Sequence, residues 1–360
     1  MMRRKTQEVP LGSLIVGGEH PIWVEAMGRR HPGDWKACLE EIDGAFSRGC
    51  EIFRIAVFDE EGITGLREIR KRKHGFPLVA DIHFRAQLAF QAIEAGVDAV
   101  RVNPGTFPNR RMLESLIEVA RDRGVVLRIG ANVGSLPPAL REKEKSEALF
   151  ESIAEYVNLA ERKGMKHLIL SAKSSDVRET VAVYRKLSEH FPYPLHIGLT
   201  EAGSGIEGIV KSSVALGILL AEGIGDTLRV SLTSKSPVLE VEVGWEILRA
   251  LGVRSRGIRV VSCPTCARAR GDVVSFVREF RKATASLKGA LELKVAIMGC
   301  EVNGPGEARE ADFGLALSAG GKAVLFAHGE IVATLSQEEG IEKLVSLVQE
   351  ACRKGEESTA

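Results

Sequence analysis

Aromatic residues are scarce in this chain: 3 Trp, 3 Tyr and 13 Phe make up 5% of 360 residues. Proteins that hold single-stranded nucleic acid by base stacking need more of them, so that role is not expected. Neither sign of charge is in surplus, with 49 Lys and Arg against 48 Asp and Glu and a net charge of +1. Broad affinity for phosphate backbones or anionic lipid needs a basic excess, so no nucleic-acid or membrane partner is expected and any anion site must be a local cluster. Long hydrophobic runs are lacking as well. The longest, Val214 to Ala221, is too short to span a bilayer. The basic start Arg3-Arg4-Lys5 is followed by Thr6-Gln7-Glu8 instead of an apolar stretch, so export is not expected and the expected location is cytoplasmic. In that compartment the six cysteines are thiols or metal ligands, not disulfides.

What is present is an ordinary globular mixture, 44% hydrophobic and 27% charged. Eight short β-branched runs stand near Ile22–Ala26, Ile52–Val57, Leu78–Ile82, Ala99–Val102, Val126–Ile129, His167–Leu170, Leu195–Leu199 and Thr227–Leu232. Helical segments separate them. In Asp34–Arg48, the residues Trp35, Cys38, Leu39, Ile42 and Phe46 recur on one face, with Gly49 as the stop. Eight βα units predict an α/β fold, a (β/α)8 TIM barrel, with a doubly wound open sheet as the structural alternative. The pattern breaks after a helix at Val241–Leu251 and the charged joint Arg254-Ser255-Arg256-Gly257. The remainder reads β–α–β–loop–β–β–α. The expected division is a substrate-binding barrel over 1–256 and a smaller α+β domain over 257–360.

Catalytic residues of a β/α barrel project from the C-terminal strand ends. Here those ends are polar. They offer Arg54, Asp81 and His83, Arg101 and Asn103, Arg128 and Asn132, Ser171 and Lys173, His196, Thr200 and Glu201, and Arg229 and Ser231. Arginine within apolar strand runs is unusual. Several guanidinium groups and Lys173 at one mouth call for an anionic ligand to neutralise them, one with about two phosphoryl groups. Ion pairing with interior Asp and Glu is the competing explanation, above all for Arg229. The run Gly203-Ser204-Gly205-Ile206-Glu207-Gly208 has the G-x-G-x-x-G spacing and suggests a backbone phosphate cradle, or a plain tight turn.

Cys38, Cys50 and Cys352 sit in apolar patterns and read as core. Cys263-Pro264-Thr265-Cys266 follows one strand and Cys300 follows another. No fourth Cys or paired His completes a zinc set, so the three fit an iron–sulfur cluster with one differentiated iron; structural zinc, a redox pair and incidental cysteines remain alternatives. The run Glu301-Val302-Asn303-Gly304-Pro305-Gly306-Glu307 suggests tight turns that bring Glu307 to the fourth iron.

Several long motifs then carry a resemblance: Val79-Ala80-Asp81-Ile82-His83-Phe84, Asn103-Pro104-Gly105, Arg128-Ile129-Gly130, Leu195 through Gly203, Gly223-Ile224-Gly225-Asp226-Thr227, Ser262-Cys263-Pro264-Thr265-Cys266, and Met298-Gly299-Cys300 with Asn303 through Ala308. Over nearly its whole length the chain resembles the 4-hydroxy-3-methylbut-2-en-1-yl diphosphate synthase family of the non-mevalonate isoprenoid pathway, in its bacterial two-domain form. The resemblance implies two-electron reductive ring opening and dehydration of 2-C-methyl-D-erythritol 2,4-cyclodiphosphate to 4-hydroxy-3-methylbut-2-enyl diphosphate. It implies one [4Fe–4S] cluster per chain on Cys263, Cys266, Cys300 and Glu307. Substrate binding falls on Arg54, Arg101, Asn103, Arg128, Asn132, Lys173, Thr200 and Ser231. Glu201 is the implied proton donor, with Asp81 and His83 orienting the network. The electron donor would be ferredoxin or flavodoxin, and the assembly a head-to-tail homodimer whose active site is shared between chains.

The chain departs from the family pattern at Glu25-Ala26-Met27-Gly28 and the following Arg29-Arg30-His31, at Ser234-Lys235-Ser236, at Ala267 and at Arg85. These departures leave open a divergent member acting on another diphosphate. A Schiff-base aldolase-like barrel, using Lys173 beside a structural zinc, is the alternative from a different class.

Overall fold

The computed structural model describes residues 3–359 except 74, 108, 286, 288–290 and 303. The chain divides into two compact units, Met1–Arg254 and Ser255–Ala360.

The first unit opens with a hairpin, β1 (Val9–Leu11) and β2 (Leu14–Val16), paired antiparallel around Gly12 and Ser13. Eight parallel strands follow: β3 (Trp23–Met27), β4 (Ile52–Val57), β5 (Leu78–Ile82), β6 (Ala99–Val102), β7 (Val126–Asn132), β8 (Leu168–Lys173), β9 (His196–Ile197) and β10 (Thr227–Leu228). Their order is β8-β7-β6-β5-β4-β3-β10-β9, and a parallel bridge from Leu170 to Leu195 closes the ring. The barrel is therefore the fold, and the open-sheet alternative falls. Eight helices alternate with the strands: α1 (Trp35–Ser47), α2 (Glu60–Arg72), α3 (Gln87–Glu94), α4 (Arg110–Asp122), α5 (Lys145–Arg162), α6 (Val177–His190), α7 (Gly205–Ala221) and α8 (Val238–Ala250).

Local chemistry explains the boundaries. Asp34, Asp59, Asn109 and Asp176 each accept a backbone N–H at a helix start. On α1, Cys38 and Ile42 are buried and Trp35, Leu39 and Phe46 pack against the same core. The hairpin was not anticipated. It stoppers the barrel base, where Val9, Leu11 and Val16 meet Ile52, Val79, Ala99, Val126 and Ile169 in one buried cluster. Strands β9 and β10 are shorter than the expected Leu195–Leu199 and Thr227–Leu232. Beyond Ile197 and Leu228 the chain finds loop partners, with Thr200 N–H donating to the Ser174 carbonyl and Leu232 N–H to Glu240.

The second unit holds a five-stranded sheet of β11 (Ile258–Ser262), β12 (Leu293–Met298), β13 (Phe313–Ser318), β14 (Lys322–Ala327) and β15 (Glu330–Ser336), in sequence order. The first three strands are parallel and the last two antiparallel. Helices α9 (Val273–Thr284) and α11 (Gln337–Thr359) share a core with one face, through Phe280, Ile297, Leu315, Leu344 and Val348. The other face carries smaller residues, Ala296, Met298 and Ala316, against Ala308 of a short helix α10 (Gly304–Arg309). Strand β13 and helix α10 were not anticipated. Asn303 lies outside the described residues, and α10 takes the place of the turns expected at Gly304–Glu307.

Candidate active site

The parallel register brings the polar strand ends together. Asp81 pairs with Arg101, Arg101 with Arg128, and Asn132 with Lys173 across adjacent strands. A cavity of about 240 Å³ opens at this mouth. It is lined by Met27, Arg54, Asp81, His83, Arg101, Asn132, Ser171, Lys173, Leu199, Thr200, Arg229 and Ser231.

Three of the arginines have carboxylate partners. Arg101 donates to Asp81 at 3.0 Å, and Arg54 lies 3.5 Å from Glu25 and 3.9 Å from Asp81. Arg128 is fully buried and meets both oxygens of Glu25, at 2.9 and 2.6 Å. Burial alone would raise the Glu25 and Asp81 carboxyls, but neighbouring guanidinium groups outweigh it and hold both below the usual range, Asp81 well below it.

Arg229 reverses its expectation. Among the described residues no carboxylate lies within ion-pair distance of it; it contacts Met27 sulfur at 3.2 Å and the Ser231 hydroxyl. Burial, with Arg54 adding repulsion, pushes its guanidinium down to about 10. Lys173 likewise has no carboxylate partner, and its Nζ meets His196 Nε2 at 3.2 Å. Burial first, then Arg229 and Arg54, holds its amine well below the usual lysine range. Among the described residues these two basic side chains have no carboxylate partner, and an anionic ligand would supply one.

The other candidates take varied places. His83 is committed on both ring nitrogens, with Nε2 2.9 Å from Arg101 and Nδ1 2.9 Å from Thr106. Arg101 can only donate, so His83 Nε2 accepts and the ring orients that arginine. Asn103 is buried and bonds Ser135 and Gly105 N–H, so it shapes the loop after β6 and does not line the cavity. Arg128 lies outside the lining too. Glu201 is exposed, with left-handed backbone at φ +52°. None of Gly203–Gly208 lines the mouth. Gly208 is explained by packing, since a Cβ there would sit 2.7 Å from the Gly203 carbonyl oxygen. Glu25, buried among the arginines, was noticed in the sequence only as a departure. The neighbouring departures are rim fastenings, with Arg29 on Glu240 at 2.6 Å and His31 on Asp59 at 3.1 Å.

In the second unit, β11 and β12 run in register from Ile258–Leu293 to Ser262–Ile297, so Cys263 and Cys300 leave the same sheet end side by side. Cys263, Cys266, Cys300 and Glu307 line one cavity of about 380 Å³, with Arg268 and Gly304. Gly299 N–H donates to Cys263 sulfur at 3.2 Å. Cys38, Cys50 and Cys352 are buried, as core residues should be. Among the described residues no three His, Cys, Asp or Glu side chains converge closely enough to hold one metal ion. Cys263, Cys266, Cys300 and Glu307 are the side chains in this cavity whose donor atoms could serve a metal centre.

Two family profiles cover this architecture. The GcpE TIM-barrel domain matches residues 6–245 and the GcpE protein C-terminal domain matches residues 259–350. The chain belongs to the GcpE family. Among its GcpE relatives, a protein of Geobacter sulfurreducens is 45% identical over 97% of this chain and 98% of its own length. One of Maridesulfovibrio salexigens is 45% identical over 94% of each chain, and one of Aquifex aeolicus 43% identical over 99% of each. All three are named 4-hydroxy-3-methylbut-2-en-1-yl diphosphate synthase (flavodoxin).

Proposed function

We propose that this chain is a 4-hydroxy-3-methylbut-2-en-1-yl diphosphate synthase. It opens 2-C-methyl-D-erythritol 2,4-cyclodiphosphate reductively and expels water. The cyclic dianion takes up two electrons and one proton and leaves as the open diphosphate trianion and water. What carries the reading is a mouth holding Lys173 and Arg229 without carboxylate partners, in a chain whose Cys263, Cys266, Cys300 and Glu307 share one cavity.

Arg54, Arg101, Lys173 and Arg229 grip phosphoryl oxygens, with Asn132, Thr200 and Ser231 completing the hydrogen bonds. Glu25 and Asp81 fix the arginines in place, so little reorganisation is needed when the anion arrives. Arg128 acts from beneath, through its charge and through Glu25. Glu201, exposed just after Thr200, is the proposed proton donor to the departing oxygen. Cys263, Cys266, Cys300 and Glu307 would hold a [4Fe–4S] cluster, which supplies single electrons and a Lewis-acidic iron. Glu307 would be the harder and more exchangeable of the four donors. The electron donor is flavodoxin, as the relatives' names state for them; ferredoxin was equally open on sequence.

The assembly is a head-to-tail homodimer. The first unit ends at the barrel base, where Arg254 pairs with Glu51 just before β4 and donates to the Ile22 carbonyl just before β3. The first unit thus ends on the side of the barrel away from its mouth, and in the proposed dimer a partner chain supplies the cluster.

The Schiff-base reading keeps one point in its favour, the lowered Lys173 amine, while the GcpE relatives are named for the synthase. The test is anaerobic purification with iron and sulfide analysis. The expected content is about four of each per chain, lost in Cys263→Ala and Cys300→Ala. Zinc without sulfide, together with borohydride trapping of substrate on Lys173, would overturn the proposal.

A further inference from the structure

The mouth holds a lysine that, among the described residues, has no carboxylate within ion-pair distance. Among the described residues Lys173 Nζ has one hydrogen-bond partner, His196 Nε2 at 3.2 Å, and it lies over the backbone of Gly198, where even an added Cβ would come within 3.0 Å. His196 is fully buried, with Nδ1 2.8 Å from the Thr227 hydroxyl and Nε2 3.5 Å from Glu25. The charged groups facing the amine come from every neighbouring strand. Arg54 stands on β4, Arg128 on β7 and Arg229 just past β10, and Glu25 on β3 is the opposing charge nearby. Across the mouth Asp81 and Arg101 neutralise one another at 3.0 Å. The arginines Arg54, Arg101, Arg128 and Arg229 against Glu25 and Asp81 leave a surplus of two positive charges before Lys173 is counted.

A fifth cation in that enclosure gains no contact that would repay its desolvation. A ligand with two phosphoryl groups cancels the surplus and adds oxygens that accept from an ammonium. We infer that Lys173 is a neutral amine in the empty barrel and takes one proton from solvent when the diphosphate binds. His196 is built for both states. Burial, then Lys173 and the arginines, keeps its ring neutral. With Nδ1–H donated to Thr227, its Nε2 lone pair accepts from the ammonium; with the tautomer reversed, Nε2–H donates to the amine lone pair. Binding and protonation are thus one linked event, and affinity falls as pH rises through the window between the empty and occupied values of Lys173.

The inference rests on the anion-binding reading of the mouth, and calorimetry separates the two. The cyclic diphosphate is a suitable probe because each of its phosphoryl groups, bound by one ester and one anhydride bridge, keeps a single strongly acidic oxygen and has no proton to exchange near neutrality. Its binding to the full-length protein is measured at pH 8 in two buffers of different ionisation enthalpy. The expected result is uptake of about one proton per ring, with affinity falling about tenfold per pH unit above that point. Lys173→Met and Lys173→Arg bring the uptake to zero, and Lys173→Arg flattens the pH profile. Binding with no buffer dependence, or uptake that persists in Lys173→Met, overturns the inference and leaves the anion site standing. Absence of binding by the folded protein overturns both.

Discussion

Glu25 decides how strongly the mouth attracts anions. It meets Arg128 through both oxygens and stands 3.5 Å from Arg54, so it cancels one positive charge inside the barrel. Glu25→Gln should tighten binding of the cyclic diphosphate roughly tenfold, about 1.4 kcal/mol. It should cost about 1–3 kcal/mol of stability, because one acceptor remains for Arg128 while its charge goes unbalanced. Calorimetry and thermal unfolding read the two effects, and unchanged affinity would remove Glu25 from the anion site's field. Lys173 gives the opposite sign. A basic group whose folded value is depressed costs stability below its unfolded value, about 10.4, and the cost shrinks as pH rises toward that value. Lys173→Met should therefore raise the melting temperature of the empty protein at pH 7, by about 2–4 °C for each kcal/mol relieved, with the gain vanishing near pH 10. A melting temperature that falls would mean the amine is already charged and satisfied. Arg54, Arg101 and Lys173 were legible in the sequence because a charge within an apolar strand run is conspicuous. The counter-ion of Arg128 was not, since Glu25 lies 103 residues away and only barrel closure joins them. Arg229 was set aside for the same reason: which arginines find an acid is a property of the closed ring.

Among the elements, the barrel helices and strands followed from periodicity, caps and glycine stops. The hairpin and β13 did not. Pro10 and the brevity of β1 and β2 hide a strand pattern, and their reason to pair is the open barrel base that they fill. Helix α10 replaces expected turns because Gly304 lets it lie against the sheet; a Cβ there would sit 3.0 Å from Ala316 and 3.3 Å from Met298. Close approach also governs the thiol cavity. A Cβ on Gly299 would lie 2.8 Å from Val273 Cγ2 and 3.0 Å from Cys263 sulfur. Gly299→Ala should displace Cys263 and cut iron and sulfide content severalfold, while the first unit still binds the cyclic diphosphate. Full cluster content in that variant would show that the Cys263 loop tolerates the shift.

At the scale of the whole molecule, the proposed function needs groups from both units, Lys173 in the first and Cys263, Cys266 and Cys300 in the second. The break between the two units was legible because the βα pattern stops after the last barrel helix, and the Cys263-Pro264-Thr265-Cys266 motif and Cys300 fall beyond it. The shared site is tested by mixing chains. Arg128→Ala would take from the buried Glu25 the partner that meets both its oxygens, so Lys173→Met is the cleaner mouth variant to combine with Cys300→Ala. Each should be inactive alone, and mixed dimers should recover about a quarter to a half of wild-type turnover if one of two sites is intact. No recovery, with mixed dimers shown to form, would place mouth and cluster in the same chain.

The most direct measurement is turnover by the anaerobically purified protein. Cyclic diphosphate and reduced flavodoxin are supplied, and the organic product is identified by mass and phosphorus resonance. The account predicts the open diphosphate, with two electrons consumed for each ring and no product from Cys300→Ala. A cluster-loaded, correctly folded protein that binds the ring and returns it unchanged with reductant present would contradict it.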